Sequence, residues 1–160
     1  MLYRLYKPEE FEALYAIEVE CFTPPLRFER AYLEKLTRAR SSATWVAVSD
    51  EGNPAGFAVV EWKRRRDDVV VAYLVTLEVV QEQRRQGVGG ALLGKAEESA
   101  QAAGAEAIWL HVEARNEAAL SLYRRHGYME GGSAEDFYGP GRGARILVKL
   151  LGHRNCAEEE

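Results

Sequence analysis

The segment Arg84-Arg85-Gln86-Gly87-Val88-Gly89-Gly90 sets two cations and three glycines at the start of a helical pattern. The first N–H groups of a helix lack intrahelical partners and carry partial positive charge, and glycine lets a ligand come close. Such a segment is built to hold a phosphate or diphosphate. Two better-known phosphate motifs are nearly present here, and both fail. Gly89-Gly90-Ala91-Leu92-Leu93-Gly94-Lys95-Ala96 has most of the nucleotide P-loop spacing. Ala96, however, stands where a hydroxyl must hold magnesium, and Ala91-Leu92-Leu93 reads as helix. The dinucleotide fingerprint finds Gly87 and Gly89 but meets Leu92 at its third glycine, with no strand directly before Gly87.

Proton transfer is the second chemistry on offer. His111 has the side chain best suited to accept a proton near neutral pH, and it ends an apolar run expected to be a parallel strand. Ligands favour that edge of such sheets. Its plain alternative is a histidine that only hydrogen-bonds at a strand end. Tyr73 shares strand parity with Val75, Leu77 and Val79, which predicts that it projects to their face. Core packing is the ordinary explanation for such a tyrosine. Glu78 and Glu113 are rival bases: by alternation one points opposite Leu77 and the other opposite Val112, so both stay open.

The elements that must position these residues follow from pattern. Leu2 to Tyr6 alternates like a strand, and Pro8-Glu9-Glu10 favours a helix start carrying Phe11, Leu14 and Tyr15 on one face. Thr23-Pro24-Pro25 stops that helix, and a second is predicted from Phe28 to Ala39. Ala43 to Ser49 and Ala55 to Trp62 read as a hairpin around Asp50-Glu51-Gly52-Asn53-Pro54. Lys63 to Asp68 reads as a solvated turn, its four cations flanked by two aspartates.

Val69 to Val80 is nearly continuous apolar, the pattern of a strand buried on both faces. It leads through the glycine segment into a helix ending near Gly104, and then into a strand at Ile108 to Val112. Strand, helix and strand in that order predict a parallel pair. Asn116 starts a shorter helix through Arg125, closed by His126-Gly127. Tyr128 onward and Ala144 to Leu151 are the last strands, separated by Gly139-Pro140-Gly141-Arg142-Gly143.

A chain of 160 residues with 47% hydrophobic content fits one domain, expected over 1–151, with 152–160 a disordered tail. The formal net charge of −4 gives no bulk attraction to nucleic acid or an anionic membrane. No apolar run approaches the roughly 20 residues needed to span a bilayer, and the start lacks the apolar core of a secretion signal. A cytoplasmic protein is expected. Cys21 and Cys156 have no metal-type spacing, so both read as free thiols and no metal is expected. Oligomeric state is not readable.

Leu77-Glu78-Val79 followed by Arg84-Arg85-Gln86-Gly87-Val88-Gly89 resembles the acetyl-coenzyme A signature of the GNAT family of N-acetyltransferases. The likeness covers nearly the whole chain. Trp109-Leu110-His111-Val112, then Asn116, Ala119, Tyr123 and Gly127-Tyr128, is more particularly similar to the N-terminal protein acetyltransferases. These include the ribosomal-protein alanine acetyltransferases and the eukaryotic enzymes acting on methionine-initiated N-termini. The resemblance implies an α/β fold with a mixed, mostly antiparallel sheet, one central parallel pair and helices on both faces.

It also implies roles. The backbone of Leu77, Glu78 and Val79 meets the pantetheine arm, Arg84 to Gly90 wraps the pyrophosphate, and Asn116 contacts the cofactor. Tyr123 protonates the departing thiolate, and a backbone N–H at Val79 faces the developing oxyanion. Phe22, Pro24 and Pro25 fall in the peptide-binding loop, and Tyr138 falls near the second substrate-contacting segment. The position of His111 is a glutamate base in the bacterial ribosomal enzymes. The pairing of Tyr73 with His111 is instead similar to the methionine-directed type. An α-amine has a reference pKa of about 7.7–8.0 and must shed a proton to attack a thioester, so a base is useful. The expected function is acetyl transfer from acetyl-coenzyme A to a protein N-terminus. A small-molecule amine is the rival acceptor, and a non-catalytic acyl-coenzyme A-binding regulator is the rival from another class.

Overall fold

The computed structural model describes residues 1–152, so the tail, Cys156 included, lies outside the described residues. The strands β1 (Leu2–Leu5), β2 (Ser42–Val48), β3 (Pro54–Arg64), β4 (Val70–Val79), β5 (Ala105–Glu113), β6 (Met129–Ala134) and β7 (Ala144–Leu150) share one sheet. Their order is β1-β2-β3-β4-β5-β7-β6. Neighbours are antiparallel except β4 and β5, the expected parallel pair. The helices α1 (Phe11–Cys21) and α2 (Arg30–Thr37) cover one face. The crossover helix α3 (Val88–Ala102) and the shorter α4 (Glu117–Arg125) cover the other.

Two apolar clusters hold these layers. Leu14, Ile17, Leu33, Phe57 and Val59 are buried beneath α1 and α2, while Leu92, Leu93, Ala96, Ile108 and Leu110 are buried beneath α3. Each such leucine or phenylalanine contributes roughly 1.5–3 kcal/mol through removal from water. No helix of the described residues is long and apolar enough to cross a membrane.

Local structure departs from the sequence pattern in three places. The second helix begins two residues later than its pattern suggests, because Glu29 is held extended (φ −68°, ψ 144°) as the N-cap of Arg30. Lys63 and Arg64 belong to β3, so the basic turn is tighter, with Asp68 at φ 66°. The third departure is in β4, which is not buried on both faces: its residues alternate between buried and half-buried.

Two irregularities of β4 shape the site. Val59 pairs with Thr76 but Val60 pairs with Leu74, so Val75 is an extra residue, a β-bulge. One inserted residue reverses the alternation of side chains beyond it. The parallel pairing with β5, moreover, ends at Tyr73 and Trp109, whereas β5 stays on β7 as far as Glu113. From Leu74 to Val79 the polar edge of β4 therefore faces a gap. Val80 donates to Ala55 on the β3 side, so by alternation the N–H groups of Leu77 and Val79 point into that gap.

Candidate active site

A cavity of about 890 Å³ opens on the α3 and α4 side of this gap. Its walls bring together Leu77, Glu78, Val79, Arg84, Arg85, Gly87, Val88, Gly89, Gly90 and Asn116, residues spread over forty positions of sequence. Gln86 is the exception: it does not line the cavity, and its side chain donates to the Glu82 carbonyl at 3.4 Å. Gly87 is the N-cap of α3 at φ 81°, a left-handed conformation that glycine adopts without steric cost. Ala91 donates back to Gly87 at 3.1 Å, which leaves the N–H groups of Val88, Gly89 and Gly90 as the unpaired first turn. Helix terminus, glycines and Arg85 together fit a diphosphate.

The neighbours of this cradle have fixed partners. Arg84 donates from Nε to the Val79 carbonyl at 2.8 Å and from Nη2 to Cys21 Sγ at 3.6 Å, tying the anion loop to the end of β4. Asn116 Oδ1 accepts from the Ala119 N–H at 3.1 Å, capping α4 while its amide nitrogen stays out of the cap. His126 also lines the cavity, and a Cβ added at Gly90 would stand 2.8 Å from its Nε2. In the sequence His126 signalled only a helix end. Tyr123 is buried on this same side without lining the cavity, its ring edge-on to Tyr128 at 5.5 Å, and burial raises its pKa.

The proton-transfer candidates lie on the opposite face. Tyr73 Oη is 2.7 Å from His111 Nδ1. Before the bulge Tyr73 points toward the α1 and α2 side, and after it Leu77 and Val79 point toward α3. The expected shared face of Tyr73, Leu77 and Val79 is thus wrong, because alternation fails across Val75. Burial pushes the Tyr73 pKa up to about 12, with smaller contributions from Tyr32 and Glu61, and burial lowers that of His111. At neutral pH the phenol keeps its proton and the imidazole is neutral.

The rival carboxylates are otherwise engaged or shut away. Glu113 is paired with Arg142, whose Nη2 lies 3.1 Å from Oε1 and 3.2 Å from Oε2. Both oxygens of Glu78 are buried without a hydrogen-bond partner among the described residues. Pairing with Phe57 puts the Glu78 side chain under α1.

Two loops border this face. Phe22 and Thr23 after α1 share a smaller pocket of about 290 Å³ with Glu113, Asn116 and Arg142, and Phe22 also lines the larger cavity; Pro24, Pro25 and Tyr138 line neither. Glu18 pins the loop by accepting the Phe28 N–H at 2.8 Å. A Cβ at Gly139 would come within 3.8 Å of Pro25 Cγ, so the loop after α1 and the β6–β7 turn approach each other. Tyr138 sits edge-on to Phe137 at 4.9 Å. Phe137 stacks on His111 with ring centroids 4.0 Å apart and planes 8° from parallel. Nothing local in the sequence marks Phe137 or Arg142, because both matter through contacts with a distant strand.

The sequence model of the Acetyltransferase (GNAT) family matches residues 11–128. The [ribosomal protein bS18]-alanine N-acetyltransferase of Escherichia coli K12 is 31% identical over 107 residues, covering 64% of this chain and 68% of that protein. Streptothricin acetyltransferase of Streptomyces lavendulae is 34% identical over 87 residues, but the match spans 54% of this chain and only 44% of that protein. The fold is that of Chaetomium thermophilum Naa20, crystallised with a bisubstrate analogue. The TM-score is 0.81 at 22% identity, over 94% of this chain and 87% of that one. With the family model covering most of its length, the chain belongs to the acetyltransferase (GNAT) family, the acetyl-coenzyme A-dependent N-acetyltransferases.

Proposed function

We propose that this acetyltransferase works in the cytoplasm on the α-amine of a protein or peptide N-terminus, with Tyr73 and His111 removing the proton. The observation that carries the reading is the 2.7 Å contact between Tyr73 Oη and His111 Nδ1 beside the gap in the sheet. Acetyl-coenzyme A supplies the acetyl group as a thioester. Val88 to Gly90 and Arg85 hold its pyrophosphate, and the exposed edge of β4 at Leu77 and Val79 aligns the pantetheine arm as an added strand would be aligned. The Val79 N–H faces the oxygen on which charge develops. As the amine attacks, its proton passes to Tyr73 Oη while the Tyr73 proton moves to His111 Nδ1. Tyr123, on the cofactor side, returns a proton to the leaving sulfur.

Phe22, Pro25 and Tyr138 border the acceptor, on the two loops that meet at Pro25 and Gly139. The ribosomal-protein relative, named for alanine acetylation, supports a peptide acceptor; the likeness to streptothricin acetyltransferase supports a small amine instead. Turnover on a mixed library of free-N-terminus peptides, read by mass spectrometry beside a panel of small amines, decides between them. Acetylation of several peptides at the α-amine is the expected result. Transfer to small amines alone overturns the peptide assignment. Binding of acetyl-coenzyme A without transfer to any amine overturns the catalytic roles.

A further inference from the structure

The β6–β7 turn is bonded mainly to itself. Tyr138 N–H donates to the Arg142 carbonyl at 2.9 Å, Arg142 N–H to the Gly139 carbonyl at 3.0 Å, and Gly141 N–H to Asp136 Oδ1 at 2.7 Å. A turn closed in this way is held together internally, and its Gly143 carbonyl also accepts the Ala114 N–H at 3.0 Å just beyond β5. Its side-chain tether to β5, among the described residues, is Arg142 to Glu113, made from both Nε and Nη2. Glu113 is 18% exposed and Arg142 37%, so the pair is partly shielded from solvent. Phe137 has one ring face on His111 and yet is 48% exposed, so little packs behind it. The position of the turn is what keeps the ring on the imidazole.

We propose that the Glu113 and Arg142 pair is a latch that holds the β6–β7 turn closed over His111, making both residues positioning residues for proton transfer. This rests on the reading of His111 as the base. Glu113 stands two residues beyond His111 on the same face of β5, and this short lever turns an ion pair into control of the imidazole's solvation. Of the titratable and charged groups around His111, Tyr73 of β4 is bonded to it and Glu113 shares its face of β5, while Arg142 is bound to Glu113 and Tyr138 lies near Tyr73 and Glu113. Tyr32 of α2 and Glu61 of β3 lie beyond Tyr73. Ile146 of β7, the pairing partner of His111, is apolar.

The test compares Glu113→Gln, Arg142→Gln and the swapped pair Glu113→Arg with Arg142→Glu. If the pair acts only through charge, losing the anion moves the acid limb of the pH–rate profile down and losing the cation moves it up. If it is a latch, both single variants let water reach the imidazole. Both limbs then move up, toward the reference histidine value of about 6.5. Acceptor kcat/KM falls about tenfold in each, as expected for a loosened catalytic group. Acetyl-coenzyme A affinity stays nearly unchanged, because neither Glu113 nor Arg142 lines that cavity. The swapped pair regains the limb and most of the rate. Opposite shifts in the two single variants overturn the proposal, as does a swapped pair that binds acetyl-coenzyme A normally but regains nothing. If the swapped pair does not fold, the direction of the two single shifts decides. NMR titration of the His111 ring reads the same shifts without any acceptor. Matching NMR shifts in a protein that acetylates no amine would sink the catalytic reading and leave the latch standing.

Discussion

Tyr73→Phe removes one oxygen, 2.7 Å from His111 Nδ1, and keeps the ring that packs on Trp109 at 4.6 Å. The consequence can be worked out from the surroundings. With its pKa pushed to about 12, Tyr73 is a phenolate in only ~1 molecule in 10⁵ at pH 7, so it cannot serve as a base alone. It takes a proton only while handing its own to a neutral neighbour, and burial keeps His111 neutral. The two side chains should then behave as one catalytic unit. His111→Ala is expected to lower turnover roughly 10²- to 10⁴-fold, and Tyr73→Phe by a similar factor. The double variant should be no worse than the worse single, since members of a unit are not additive. The assay is steady-state acetylation of a peptide at saturating acetyl-coenzyme A from pH 5 to 9. Wild type should lose rate as His111 becomes protonated, below the reference value of about 6.5, and His111→Ala should lack that limb. A loss under about threefold in Tyr73→Phe, with the limb intact, refutes the relay and leaves His111 to act directly. Full turnover and an unchanged limb in His111→Ala, together with a dead Glu78→Gln, refute the base assignment itself.

Gly87→Glu should abolish acetyl-coenzyme A binding measured by calorimetry, since it forces a side chain into φ 81° and puts negative charge at an anion cradle. Gly87→Ala bears the same φ strain but adds no charge, and its Cβ meets nothing within 4 Å, so it should weaken binding less than Gly87→Glu. Acetyl-coenzyme A should raise the melting temperature while ATP with magnesium and NAD do not, because both nucleotide fingerprints are broken; a larger shift with ATP would revive the P-loop reading. Glu18, buried with Oε2 unpartnered among the described residues, has its pKa raised by burial from 4.5 to about 7. The native state therefore holds this proton more tightly than the unfolded chain. Its contribution to stability falls as pH rises from about 4.5 to about 7. Denaturant unfolding across that window should show the slope in wild type and a shallower one in Glu18→Gln.

The parts of the site that were legible in sequence are those whose physics is local. Three glycines and two arginines between a strand and a helix describe an anion cradle wherever the rest of the chain goes, and all but Gln86 reach the cavity. Asn116 reads as a helix cap because the cap is made within three residues. The face of Tyr73 was misjudged because alternation assumes an unbroken strand. The bulge at Val75 exists only in pairing with β3, and no composition near Val75 announces it. Phe137, Arg142 and His126 escaped for the same reason. Each acquires its meaning from a partner on another element: His111, Glu113 and Gly90 respectively.

On the proposed reading, the parting of β4 from β5 beyond Tyr73 and Trp109 is a slot in the sheet, with the coenzyme's cavity on one side and the Tyr73–His111 pair on the other. Donor and acceptor can thus occupy the protein together, each from its own side, and meet only within the slot. On that reading the amine reaches the thioester directly, and no covalent acetyl-enzyme is needed. Initial-rate plots should accordingly intersect rather than run parallel. Each product can leave by the side through which its parent came, so neither departure has to wait for the other.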